Sequence, residues 1–554
     1  MQQQVVGLAS NRRASLYMHC FVGALFVIGA FTYSSWLGSD VNWDLLNYHL
    51  YSGETALSWR AATDIAAAHR ETYFFPGLDI LFAGLRHAFW HEPRLLAGMM
   101  AIPEGIACYF AWRICLVCLP DTALYRPLVA TVAVLFGATG AASLPTIGTT
   151  MSEMLPVCFF LAAITMILEA DLGTSRTHAA SGSLLGIALA LKLVLIYAFV
   201  GTCLAVVTMQ GTFLIGRMRN AICLYGCALL SYLTLTWWWL LRNERLFGNP
   251  LFPQFNDVFH SPWVAAARLT DDRFKPTTWF QALIGPLRWA HWQVDVTETP
   301  ARDVRLSLAL IAVISLLIIP ILGKSVIDKQ PKSGRNAIFV SILAVTGFIV
   351  WQNTFSILRY LTAFELLAGV VIVAAPALWF PKWRYAPVAT IVVATSLAGL
   401  TTIYPFWSDY GIGKNTKYWP AIDRFRGPGD AVQVQFPVLP SDAMIIELDS
   451  TPTGYLAVFA PQNIVFVGAN NNIIRPGDRE RLAQEAEVAI RTHQGPLWGV
   501  EQPDRGDPRA DETLKYYGLQ RAQNCVQIQS NLDQNRSRLC PLTKLAGVGS
   551  GYVQ

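Results

Sequence analysis

The stretch Gly38 to Tyr51, Gly-Ser-Asp-Val-Asn-Trp-Asp-Leu-Leu-Asn-Tyr-His-Leu-Tyr, places two carboxylates and a histidine directly after an apolar run from Leu16 to Leu37. A carboxylate there can act as a general base, and an imidazole can take or relay a proton. Asp40 and Asp44 are four residues apart, as are Asp44 and Tyr48. A helix starting near Trp43 would put Asp44, Asn47 and Tyr48 on one face. Each aspartate also has a plainer role open to it as a helix cap, but capping alone accounts poorly for both acids together with His49.

Other residues with chemical potential lie at the ends of later apolar runs. Thr149-Thr-Met-Ser-Glu153 opens one of them; Glu153 is favoured there by the helix dipole and could equally hold a sugar hydroxyl. Lys192 interrupts the apolar stretch 180–216, where an ammonium needs an anionic partner such as a lipid phosphate, or snorkels to water. Arg359, followed by Tyr360, starts another run; arginine binds phosphate bidentately, although Glu365 in the same run could pair with it instead. A second polar segment contains Asn249, Asn256, Trp279, Trp289, His291 and Trp292. Its aromatic residues suit interfacial anchoring, and they could also stack on sugar rings.

The elements that must position these residues are membrane helices. Hydrophobic residues make up 53% of the 554, mean hydropathy is +0.37, and charged residues are 14%, well below the roughly 25% of soluble globular chains. Apolar runs recur near 15–37, 95–119, 126–147, 152–170, 219–241, 305–323, 335–353, 360–380 and 386–406. The stretch 180–216 reads as a hairpin turning at Lys192, which brings the expectation to about eleven spans. The basic loops at Arg217–Arg219, Lys324–Arg335 and Lys382–Arg384 are expected on the cytoplasmic side. Residues 1–14, with Arg12 and Arg13, then form a cytoplasmic N-terminus to an uncleaved signal anchor. Segments 38–94 and 242–304 become external loops, the first carrying two helices at the interface, one of them 76–90. The net charge of +5 says little in such a protein.

Residues 407–554 are globular in composition and are expected to form a small external α/β domain. Ala443–Leu448 and Asn463–Gly468 read as strands, Asp478–Arg491 and Asp511–Tyr517 as helices. It contains no Gly-rich phosphate loop and no nucleophile elbow. Eight of the ten cysteines lie in or beside apolar runs, where packing is the default, Cys115-x-x-Cys118 included. Cys525 and Cys540 stand apart in the polar region and would form a disulfide outside the cytoplasm.

In its order of motifs the membrane region, about 15–406, resembles the GT-C superfamily of integral-membrane glycosyltransferases. The shared features are a first span followed by an acidic, aromatic loop (Asp40, Asp44, Tyr48, His49), the Ser152-Glu153 span start, Gly186-x5-Lys192, Gly-Asn-Pro-Leu-Phe-Pro at 248–253, and Arg359-Tyr360. Trp43-Asp-Leu-Leu-Asn-Tyr-His49 looks like a bacterial branch. The resemblance implies inverting transfer of a hexose or pentose from a polyprenyl-phosphate donor to a hydroxyl of a glycan or glycolipid acceptor, at the external face of a bacterial inner membrane. It implies Asp44 as base with Asp40 as competitor, Lys192 and Arg359 on the donor phosphate, and His49, Tyr48, Asn47, Glu153, Asn249 and His291 around the substrates. The acidic pair with which relatives commonly begin this loop is absent. Some relatives bind a divalent cation, Mg or Mn, for which Asp40, Asp44 and His49 would be the ligands here. No nucleic-acid partner is expected. The competing classes are a lipid or glycan flippase, whose polar groups would line a path near the bilayer midplane, and a non-catalytic envelope assembly protein.

Overall fold

A computed structural model of the chain describes residues 2–545 except 57, 171–173, 210–213, 268–270, 292–295, 322–329, 406–422, 426–428, 430–431, 504–506 and 534–535. Trp292, the basic stretch from Lys324 to Lys329 and the first part of the C-terminal region lie outside the described residues.

Among the described residues, five helices are long and apolar enough to cross a membrane: Ser15–Leu37, Pro93–Cys118, Ile215–Phe247, Lys332–Thr354 and Leu358–Trp379. Five further apolar helices, such as Arg126–Ala138 and Met154–Glu169, have 10–17 residues. At 1.5 Å per residue these cover less than the ~30 Å of a hydrocarbon core. The expected eleven spans are therefore represented by five helices of full length. The run at 126–147 shows why. Its helix stops at Ala138 and a short turn, Ser143–Thr146, follows. The amides freed by that break, Ala142 N and Ser143 N, donate to the Glu365 carboxylate at 3.1 and 2.7 Å. Glu365 thus serves a neighbouring helix and is not the partner of Arg359. At Lys192 the interruption falls where the sequence placed it. The helix Ser175–Leu191 ends, Lys192 is extended, and the next helix begins at Ile196.

The helices share one core, in which Trp112, Phe136, Phe339 and Trp351 are buried, as are Cys115 and Cys118. The C-terminal region carries a six-stranded sheet whose main path runs Val465–Gly468, Met444–Glu447, Leu497–Glu501, Arg538–Lys544, Leu519–Arg521. The first three strands are parallel, with Ile446 opposite both Val467 and Gly499; Arg538–Lys544 runs antiparallel to Leu497–Glu501. Helices Arg481–Thr492 and Arg509–Tyr517 fall within or overlap the segments read as helical, and Cys525 is disulfide-bonded to Cys540.

This unit is built onto the first polar segment. Ile65 extends the edge strand, with Ile65 N donating to Phe466 O at 2.9 Å and Gly468 N to Ile65 O at 2.8 Å. A free strand edge is a liability, and here the chain's own loop covers it. The buried Arg60 donates to the carbonyls of Ala460, Pro461 and Ile464 at 3.2, 3.2 and 2.5 Å and pairs with Asp64. Tyr455 N donates to Leu46 O at 2.9 Å, and Ser39–Val41 pairs antiparallel with Asp423–Phe425. Segment 242–304 joins the assembly, since Arg481 N and Leu482 N donate to Pro262 O and Trp263 O at 3.0 and 3.1 Å.

One consequence is a pH dependence. Glu447, buried at the end of the strand Met444–Glu447, accepts from Thr453 Oγ1 at 3.3 Å, and its other oxygen has no partner. Burial, with the Asp64 and Asp449 carboxylates nearby, pushes its carboxyl well above the ordinary 4.5. Asp449 is pushed up to about 6, by burial foremost. The folded chain then holds protons that the unfolded chain has released, so stability declines as pH rises from the ordinary carboxylate range through these raised values and changes no further above them. Glu447→Gln keeps the Thr453 bond and cannot ionise. It is expected to raise the thermal midpoint near pH 8 and to leave it unchanged near pH 4. A lower midpoint near pH 8 would reverse the assignment.

Candidate functional site

The first polar segment turns through a π-helical step, Leu45–His49, before the α-helix Leu50–Ala56. Such wide turns recur at functional sites because they redirect side chains that a regular helix would stack. Here the redirection separates the expected trio. Tyr48 stays beside Asp44, its hydroxyl 3.5 Å from Asp44 Oδ2. Asn47 donates to Glu71 Oε2 at 3.4 Å, so it ties the turn to the segment 67–73.

The two aspartates separate cleanly. Asp40 is buried and accepts from Thr150 N at 3.1 Å, from Thr150 Oγ1 at 2.7 Å and from the Asn42 amide. With three donors on it, Asp40 ties the first segment to the loop before Met154–Glu169. Asp44 makes no capping bond, although it stands at the start of the turn. Its carboxylate forms an ion pair with Arg359 Nη1. Burial alone would push the Asp44 carboxyl up, but the guanidinium and then His49 and Lys192 pull it below its ordinary value. Burial and the Asp44 charge push the Tyr48 hydroxyl well above 10.

Around this pair lies a connected set of charges. Lys192 Nζ is 3.3 Å from Glu153 Oε1. Lys192 also interacts electrostatically with Tyr360, Asp79 and Arg359. Glu298, from segment 242–304, lies 3.9 Å from Arg359 Nε, which makes no hydrogen bond. His49 Nδ1 is 2.6 Å from Asp79 Oδ1. Asp79 sits in the first turn of the helix Gly77–Ala88, on the buried face it shares with Phe82, Ala83 and Arg86. Arg86 is buried: it pairs with Glu54 at 2.6 Å and stacks on Trp90.

Of the residues singled out from sequence, Asp44, Tyr48, His49, Glu153, Lys192 and Arg359 are brought together. Asn249 is not. Both ends of its amide serve its own loop, donating to Gln254 O and accepting from Leu251 N, each at 2.9 Å. His291 is exposed, and its described backbone bond is to Arg288 O. Asp79 and Glu298 were missed. The signal for Asp79 was an acid at i−3 and i−4 to Phe82 and Ala83 on an apolar stripe; Glu298 left none. Asp40, Asp44 and His49 each turn to a different partner and do not converge as a ligand set. Among the described residues no group of three or more His, Cys, Asp or Glu could hold a metal ion.

No protein-family model matches the sequence, and no curated protein matches it either.

Proposed function

We propose that the chain is a GT-C-like glycosyltransferase of a bacterial inner membrane, with about eleven spans and its site and C-terminal domain on the periplasmic side. It moves a sugar from a polyprenyl-phosphate donor to an acceptor hydroxyl. The observation that carries this reading is the buried pairing of Asp44 with Arg359, 315 residues apart in sequence, beside the Lys192–Glu153 pair. An ionisable cluster assembled from several helices is costly and is a functional candidate by default. Two cations close to a proton-accepting first segment meet the demands of phosphate departure and hydroxyl attack.

Four carboxylates (Asp44, Asp79, Glu153, Glu298) stand around Arg359 and Lys192. A phosphate therefore binds by taking a cation from its carboxylate partner. Lys192→Met is expected to raise KM for a polyprenyl-phosphate sugar by about tenfold, equivalent to ~1.4 kcal/mol. Glu153→Gln, which frees the ammonium, is expected to lower it. The measurement is release of polyprenyl phosphate by purified protein from a panel of synthetic glucose, mannose and arabinose donors. Equal KM in both variants would remove Lys192 from the phosphate site.

A flippase is the second reading, and one observation favours it. Glu104, within the helix Pro93–Cys118, is buried with neither carboxylate oxygen hydrogen-bonded. Donor or glycan movement across vesicles that is lost in Glu104→Gln, with no polyprenyl phosphate released, would favour transport.

A further inference from the structure

His49 is the least explained member of the cluster. It is 3% exposed, and its Nδ1 lies 2.6 Å from the Asp79 carboxylate. An ionised carboxylate only accepts, so Nδ1 carries a hydrogen, and in the neutral ring Nε2 then keeps its lone pair. That Nε2 is buried and has no hydrogen-bond partner. An unsatisfied buried imidazole nitrogen is costly, and a base oriented by a carboxylate is the arrangement that nucleophile activation uses. His49 and Asp79 also line a cavity of about 70 Å³. Its other walls are the hydroxyl-bearing Thr149, Thr150 and Ser152 and apolar side chains that include Phe82, Met100 and Leu155.

Asp44 is poorly suited to receive the acceptor's proton. Its carboxylate is already paired with Arg359 and lies close to Tyr48. The Tyr48 ring packs against His49, tilted by 41° with 4.0 Å between centroids, which sets the imidazole beside the ion pair.

We infer that His49, oriented by Asp79, is the proton acceptor of the transfer, and that the adjoining cavity seats the acceptor as an alcohol carried on an apolar body. This rests on the glycosyl-transfer reading above. In the step, the acceptor O–H proton passes to His49 Nε2 while the oxygen bonds the anomeric carbon. The anomeric C–O bond to phosphate breaks, and its electron pair leaves with polyprenyl phosphate. His49 would be a catalytic residue and Asp79 a positioning residue. The apolar lining favours a membrane amphiphile over a free sugar.

The test uses full-length protein in nanodiscs, the same donor panel, and a long-chain alkyl glucoside as acceptor, with free glucose for comparison. His49→Ala is expected to lower kcat by about 10²-fold or more with donor KM unchanged. Added imidazoles should restore rate in proportion to their basicity. Asp79→Asn should lower kcat about tenfold without such rescue, and Met100→Trp should raise KM for the alkyl glucoside alone. His49→Gln, close in shape, controls for folding and should be as slow as His49→Ala. Release by wild type with undiminished His49→Ala, or a loss that no imidazole restores, overturns the dyad and leaves glycosyl transfer standing. Preference for free glucose overturns the amphiphile assignment. No release by wild type from any donor overturns glycosyl transfer itself, and this inference with it.

Discussion

Asp44→Asn is expected to cut sugar transfer by on the order of 10²–10³-fold while the protein still folds and inserts. Asp40→Asn is expected to do the opposite, lowering the yield of folded protein more than the activity of what folds. The difference follows from their partners. Asp40 takes its hydrogen bonds from Thr150 and Asn42, all scaffold. An amide oxygen there can still accept these bonds but lacks the charge that strengthens them, a loss of about 1–3 kcal/mol. Asp44 instead faces Arg359. The amide of Asp44→Asn keeps the shape and one acceptor but removes the charge that holds the guanidinium in register with Lys192. Complete truncation, Asp44→Ala, strands a buried cation and should cost about 3–5 kcal/mol. Asp44→Leu combined with Arg359→Met should recover much of that stability and none of the transfer. Thermal midpoints in detergent together with polyprenyl phosphate release separate the two effects. A stable, inactive Asp40→Asn beside an active Asp44→Asn would exchange the roles assigned to these aspartates.

The second large effect concerns a residue with no reactive group. Gly454→Val should abolish transfer although it lies in the C-terminal unit. A Cβ on Gly454 would come within 2.3 Å of Asn47 O and 2.8 Å of Ala67 O, both backbone atoms. No side-chain rotation relieves such a contact, so either the unit lifts away or the segment 45–49 shifts. Overpacking of this kind costs ~3 kcal/mol. The shift would move Tyr48 and His49 directly, because Asn47 lies between Leu46, held by Tyr455 N, and the π-helical end. Limited proteolysis should show new cleavage between the two segments, accompanied by loss of polyprenyl phosphate release. Gly454→Ala should give a milder version of both. A Gly454→Val protein with normal activity would mean that the C-terminal unit does not position the site.

The same contact explains what the unit does in this fold. Its parallel strands end against segment 65–73, where Gly468 N and the Asn471 amide bond Ile65 O and Ala66 O at 2.8 and 3.2 Å. In open α/β sheets the carboxyl ends of the strands are where ligands settle; here the chain's own loop fills that position. The C-terminal region thus clamps the first polar segment.

The sequence by itself determined the helical class, the apolar runs, the strands at Met444–Glu447 and Val465–Gly468, and the residue types in the first segment. These follow from period, composition and length, which are local properties of a chain. It also placed the break at Lys192, because an ammonium cannot continue an apolar helix unnoticed. It could not separate Asp40 from Asp44, assign Glu365 to Ala142 and Ser143 in place of Arg359, retire Asn249 to its own loop, or bring Asp79 to His49. Each of these depends on a partner brought close by the fold. Hydrogen-bond donors brought up by packing decide whether a carboxylate is scaffold or reactant, and only the tertiary structure supplies them.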